Sequence, residues 1–141
     1  MIKIKDIKTA VCKKIKEYDN TIKVHTEEKV QGLKRPCFFV KLIPFFERKG
    51  TYASYKKVLI KLTYLPRSDE NDECYEMADI LNNEIFEFRF DVLDRVFYIE
   101  NKRININDNK LIFSFDIEFF DSVMIEEYPN MEELELVKTI E

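Results

Sequence analysis

Leu111, Phe113, Phe115, Ile117 and Phe119 alternate with Ser114, Asp116 and Glu118, the clearest period of two in the chain. That spacing sends the apolar set to one face of an extended strand and the polar set to the other. Val58, Ile60, Leu62 and Tyr64 against Lys57, Lys61 and Thr63 predict a second strand from Tyr55 to Leu65 with one wet face, stopped by Pro66. Cys37 to Ile43 is dense in Phe, Val and Ile between Pro36 and Pro44, and predicts a third strand bounded by ladder breakers. Val96 to Ile99 and Arg103 to Ile106 predict shorter strands, and a short extended piece ends at Val24. Asn107-Asp108-Asn109 predicts the turn of the final pair, because Asn and Asp tolerate the left-handed backbone of tight hairpins.

The period changes in two places. Ile4, Ile7, Val11, Ile15 and Tyr18 recur every three or four residues with lysines around them, which predicts an amphipathic helix ended by Asp19-Asn20. Met77, Ile80, Leu81, Ile85 and Phe88 form a similar stripe opposite Glu76, Asp79, Asn83 and Glu87, a second helix over about 73–88 led by the capping and acidic residues 68–73. Between the two long strands, Pro44 to Tyr52 combines adjacent phenylalanines with Glu47, Arg48, Lys49 and Gly50, and predicts a long hairpin loop with a sticky base.

These elements imply an α+β fold: a single antiparallel-rich sheet of about four strands with two main helices packed on one face. At 141 residues the chain is one domain's length, able to bury a core without metal or disulfide staples. The domain is expected over residues 1–125, followed by an acidic C-terminal segment, 126–141. That segment hints at a short helix after Pro129, or at a tail that orders on binding. No stretch has signal-peptide or membrane-span character, so a cytoplasmic protein is expected.

Charge adds something the overall net of −4 conceals. Residues 1–64 carry 16 Lys/Arg against 6 Asp/Glu, while residues 65–141 carry 7 against 21. If the two halves form different faces, one copy can meet the next through unlike surfaces, the heterologous contact that generates rings. If they interleave, the charges simply mix on the surface. Both arrangements fit the sequence.

Candidate chemistry is sparse. Cys12, Cys37 and Cys74 are too far apart for a metal knuckle or a redox pair and read as small buried hydrophobes. His25, the single histidine, lies in an alternating stretch as a strand-surface residue without a nucleophile motif beside it. With two glycines a phosphate-cradling loop is almost excluded, and no cofactor motif occurs. Asp94, Glu100 and Lys102 follow the acid, then acid-x-lysine order of metal-dependent nucleases, but a chain that is 35% charged produces such triplets by chance. The carboxylate pairs Asp69/Asp72 and Glu126/Glu127 read as solvated surface.

The order helix, strand, charged loop, strand, helix, strands and acidic tail resembles the tail terminator (tail completion) proteins of bacteriophages and phage-tail-like bacteriocins. Pro36-Cys37-Phe38-Phe39-Val40 opening a strand, and Tyr64-Leu65-Pro66 closing the next, are similar to the small terminators of Gram-positive prophages. The resemblance implies a structural, non-enzymatic subunit without cofactors. It implies a homo-oligomeric, hexameric ring at the head-proximal end of the tail tube, with tail tube protein as partner and sheath and neck or head-completion proteins as further neighbours. Neither membrane nor sequence-specific nucleic acid is expected as a partner. Such a subunit would assemble in the bacterial host cytoplasm and reside in the virion tail or tail-like particle. Tube or subunit contacts are expected at Phe45, Phe46, Glu47, Arg48, Lys49 and Gly50, with Arg67, Asp69 and Glu70, Asp108, and Glu126 and Glu127. The rival reading is an acidic adaptor or immunity-type protein whose second helix and C-terminal segment occupy one basic partner.

Overall fold

A computed structural model of the chain describes residues 2–26, 34–67 and 71–122. Helix α1 spans Ile4–Tyr18, as its apolar spacing predicts, and buries Ile7, Val11 and Ile15. The Asp6 carboxylate accepts the Lys3 N–H at 3.0 Å and occupies one donor that a helix start leaves open. At the far end Asp19 accepts both the N–H and the hydroxyl of Thr21, at 3.0 and 2.6 Å, and the chain turns into strand β1, Lys23–His25.

Two long strands follow, β2 (Cys37–Lys49) and β3 (Ala53–Leu65). After helix α2 (Asn71–Ile80) and a π-helical turn (Leu81–Ile85) come β4 (Arg89–Val92), β5 (Arg95–Tyr98), β6 (Glu100–Asn107) and β7 (Lys110–Ser122). The main sheet has five strands in the order β1-β2-β3-β7-β6, antiparallel except for β1 beside β2, and β4 with β5 forms a separate two-stranded sheet. Expecting about four strands in one sheet therefore undercounts. The short extended piece ending at Val24 is β1, Lys23–His25, an edge strand of the main sheet, and the run at Val96 belongs to the small hairpin instead.

Register explains where the core lies. Ile60 stands opposite Phe115, Leu62 opposite Phe113 and Tyr64 opposite Leu111, so the two alternations merge into one apolar face. Phe38 and Val40 of β2 extend it, and the buried residues of both helices join the same cluster. Helix α1 lies against β2 and α2 against β7 and β6, while the β4–β5 hairpin completes the covering layer by stacking Phe97 on Phe119 at 4.8 Å. Phe86 fills the middle, with ring centroids 5.1 Å from Phe115 and 5.9 Å from Phe90. Burial of this aromatic set is the main stabilising contribution of the fold.

The predicted helix over about 73–88 is overturned at its end. The Phe86 N–H donates to the Leu81 carbonyl at 2.9 Å, the i to i−5 bond of a π turn, which adds a residue to the turn and rotates the stripe. Phe86 becomes the buried ring, whereas Phe88, expected on the apolar stripe, leaves the helix and is 52% exposed. Cys37 and Cys74 are fully buried free thiols, as expected of small hydrophobes, and burial pushes both up from the usual thiol range. The expected C-terminal helix and the segment 126–141 lie outside the described residues.

Candidate assembly surface

The segment from Pro44 to Lys49 is strand, not the expected hairpin loop. Pro44 stands opposite Val58, the pairing then slips so that Phe46 meets Lys57, and it continues regularly to Lys49 opposite Ser54. Phe45 is the extra residue of a bulge, which absorbs the missing proline donor and lets β2 resume its ladder. The turn shrinks to Gly50, Thr51 and Tyr52, closed by the Gly50 N–H donating to the Ala53 carbonyl at 2.8 Å. A Cβ at Gly50 would approach that oxygen to 3.0 Å, which explains the glycine. Together β2 and β3 make an arm whose tip carries Glu47, Arg48, Lys49 and Gly50, all exposed.

Phe45 and Phe46 remain 50% and 45% exposed on this arm. Phe46 sits on the sheet face opposite the helices, edge-on to Tyr55 at 6.0 Å, and Tyr55 packs on Phe120 at 4.9 Å. An aromatic stripe thus crosses β2, β3 and β7 on the uncovered face, with Phe120 61% exposed at its end. The Lys57 ammonium lies 5.7 Å from the Phe46 centroid and 5.9 Å from that of Tyr55, within cation–π reach. Tyr55, Lys57 and Phe120 were not among the expected contacts, although Lys57 was placed on the wet face and the doublet Phe119-Phe120 marks an aromatic on each face of one strand.

The remaining expected contacts divide between the ends of the sheet. Arg67, just past β3, and Asp108, in the β6–β7 turn with φ 53°, stand at the end away from the arm tip. There the Arg67 N–H and the Tyr64 hydroxyl both donate to Glu73 Oε2, at 2.8 and 2.7 Å, which ties the end of β3 to the first turn of α2. Burial, then the Glu73 hydrogen bond, push the Tyr64 phenol well above its ordinary value. Asp69, Glu70, Glu126 and Glu127 lie outside the described residues.

Asp94, Glu100 and Lys102 are not gathered into a site. Lys102 Nζ donates to the carbonyls of Asn82 and Glu87, where the helical segment ends and its carbonyls need partners. Burial lowers its pKa, and Glu87 opposes that shift. Among the described residues no group of three or more His, Cys, Asp or Glu side chains is placed to hold a metal ion. None of the helices is long and apolar enough to cross a membrane among the described residues.

The sequence left open whether the charged halves separate, and the sheet order answers for the described residues. In the sheet the N-terminal half supplies β1, β2 and β3 and the other half supplies β7 and β6, so the boundary there falls between β3 and β7, while in the covering layer β4 of the second half packs against α1. Residues 2–26 and 34–64 carry 15 Lys/Arg against 4 Asp/Glu, and residues 71–122 carry 5 against 13. Some of this charge is satisfied at the seam, where Lys57 meets Glu118 at 4.0 Å and Lys56 meets Asp121 at 3.8 Å. By contrast, among the described residues no ion pair joins the lysines of α1 or the exposed Asp72, Glu76 and Asp79 of α2 to an opposite charge.

The described residues form a two-layer α+β subunit whose sheet divides a basic from an acidic half. The profile of the family described as phage tail terminator protein matches residues 6–129. The chain belongs to the phage tail terminator protein family, a family of structural components of the phage tail. A search of curated proteins finds no match.

Proposed function

We propose that this protein forms a ring on the head-proximal end of the tail tube, ends its polymerisation and offers a surface to the neck. The observation that carries the reading is the division of charge along the sheet, because a subunit with unlike sides joins its neighbour through a heterologous contact, which gives a ring when the rotation closes. The resemblance to small terminators of Gram-positive prophages and phage-tail-like bacteriocins supports six subunits, tube protein as the partner, and sheath and neck proteins as further neighbours. The arm from Phe45 to Gly50, with its aromatic stripe, supplies contact area toward the tube, since exposed aromatics are the usual anchors of protein interfaces. No catalysis, metal or cofactor enters this role. The protein assembles in the host cytoplasm and ends in the tail.

The test is polymerisation of the cognate tube protein with and without the purified chain, with lengths measured by electron microscopy. Shorter tubes that stop growing are expected at substoichiometric amounts. Unchanged lengths at equimolar protein would contradict the reading.

A further inference from the structure

Strand β1 covers only Cys37–Phe39 of β2, so past Phe39 the outer side of β2 lies open among the described residues. There a groove of about 380 Å³ runs between α1 and β2. Ile4, Val40 and Leu42 line it with Lys5, Lys8 and Thr26, while the alternation of β2 turns Lys41 toward the opposite sheet face. Over β7 and β6, α2 presents Tyr75, 53% exposed, with Asp72 and Asp79 three and four residues away on the same helix face. The segment Asn71–Ile80 contains no basic residue. An exposed aromatic knob beside two carboxylates and an apolar groove beside two ammonium groups are complementary in sign, and one is carried over β7 and β6 while the other lies at the β2 edge.

We infer that the groove between α1 and β2 receives α2 of a second copy of this chain, with Tyr75 against Ile4, Val40 and Leu42 and with Asp72 and Asp79 facing Lys5 and Lys8. This contact rests on the ring reading and deepens it by naming the lateral surfaces. Each copy keeps one groove and one knob, so two copies leave one of each unused and addition continues until the rotation closes. A buried aromatic surrounded by charge pairs is also the usual division of labour in an interface. The ring carries affinity, and the charges set register and salt dependence.

The experiment uses two full-length variants. Lys5→Glu with Lys8→Glu makes the groove acidic, and Asp72→Lys with Asp79→Lys makes the knob basic. All four positions are exposed or half-buried on the surface, and circular dichroism melts check that each variant folds. Sedimentation velocity at low salt, alone and with tube protein, should show self-association weakened at least tenfold in each variant. Mixing them should restore it, because each acidic surface then finds a basic one. Carbodiimide coupling of mixed ¹⁴N- and ¹⁵N-labelled wild type should give cross-links from Lys5 or Lys8 to α2 carboxylates between chains. Wild type that associates while the mixture stays dissociated overturns this contact and leaves the ring reading standing. Cross-links from the same lysines only to carboxylates of 123–141 within one chain overturn it as well, by naming another occupant. Wild type that stays monomeric throughout, tube included, removes the ring reading and this contact together.

Discussion

Asp121 Oδ2 accepts the main-chain N–H of Ile2 at 2.9 Å, a hydrogen bond across 119 residues that fastens the start of the chain to the end of β7. Asp121 continues the inward phase of Leu111 to Phe119, yet it is a carboxylate only 5% exposed. Lys56 at 3.8 Å and Arg95 at 3.4 Å compensate its charge. One residue thus draws together the entry to α1, strand β3 and the small hairpin.

Asp121→Ala should destabilise the protein by about 2 to 3 kcal/mol, since it removes a charge-assisted bond and leaves a buried donor unmet. Asp121→Asn, which keeps an acceptor, should cost about half as much. Urea unfolding checks both. Equal losses for the two variants would mean that the ion pairs rather than the bond to Ile2 dominate.

The aromatic core and the aromatic stripe should respond in opposite ways. Phe113→Ala or Phe115→Ala should cost about 3 to 5 kcal/mol, because both rings are fully buried against Phe86. Phe46→Ala and Phe120→Ala, each partly exposed, should change stability by less than about 1 kcal/mol. Those two variants should fail at tube capping if the uncovered face makes the contact. Normal capping by both would remove the stripe from the interface.

Legibility in the sequence followed the regularity of the pattern. Leu111 to Phe119 and Val58 to Tyr64 could be placed on strands and on the correct face because nothing interrupts a period of two. Pro44 hid the continuation of β2, since a proline normally ends a ladder and the bulge at Phe45 that rescues it has no sequence signature. The π turn at Leu81–Ile85 similarly shifted the helical stripe from Phe88 to Phe86. Strand β4, four residues long, was concealed by the same misreading. Of the site, the arm residues and the charge division were visible. The seam between β3 and β7 was not, because strand order depends on pairing between distant segments.

High pH should probe the tie between Tyr64 and Glu73. Burial and the Glu73 bond raise the phenol in the folded chain, so the neutral form is favoured there. Its contribution is complete below the unfolded value of about 10 and declines as pH rises beyond it. Tyr64→Phe keeps the packing against Phe38, whose centroid is 4.9 Å away, and should cost about 1 kcal/mol at neutral pH. The gap between wild type and this variant should close above about pH 10, as urea midpoints across pH would show. A constant gap would contradict it.

Lys102 should behave as a structural cap. Lys102→Met should cost about 1 to 2 kcal/mol by stripping the carbonyls of Asn82 and Glu87 of their donor. Asp94→Ala and Glu100→Ala, both exposed, should stay within about 0.5 kcal/mol of wild type. Duplex and single-stranded DNA should survive incubation with Mg²⁺ or Mn²⁺. Metal-dependent cleavage abolished by these substitutions would overturn the assignment of Lys102 to structure alone.

Imaging tube ends by electron microscopy after addition of the purified protein tests the central claim most directly. The account predicts a closed ring at one end only of each tube, with end-on averages showing identical subunits joined side to side, and loss of those rings as salt screens charges beyond about 8 Å. Protein scattered along the tube wall, or bare ends at saturating protein, would contradict it.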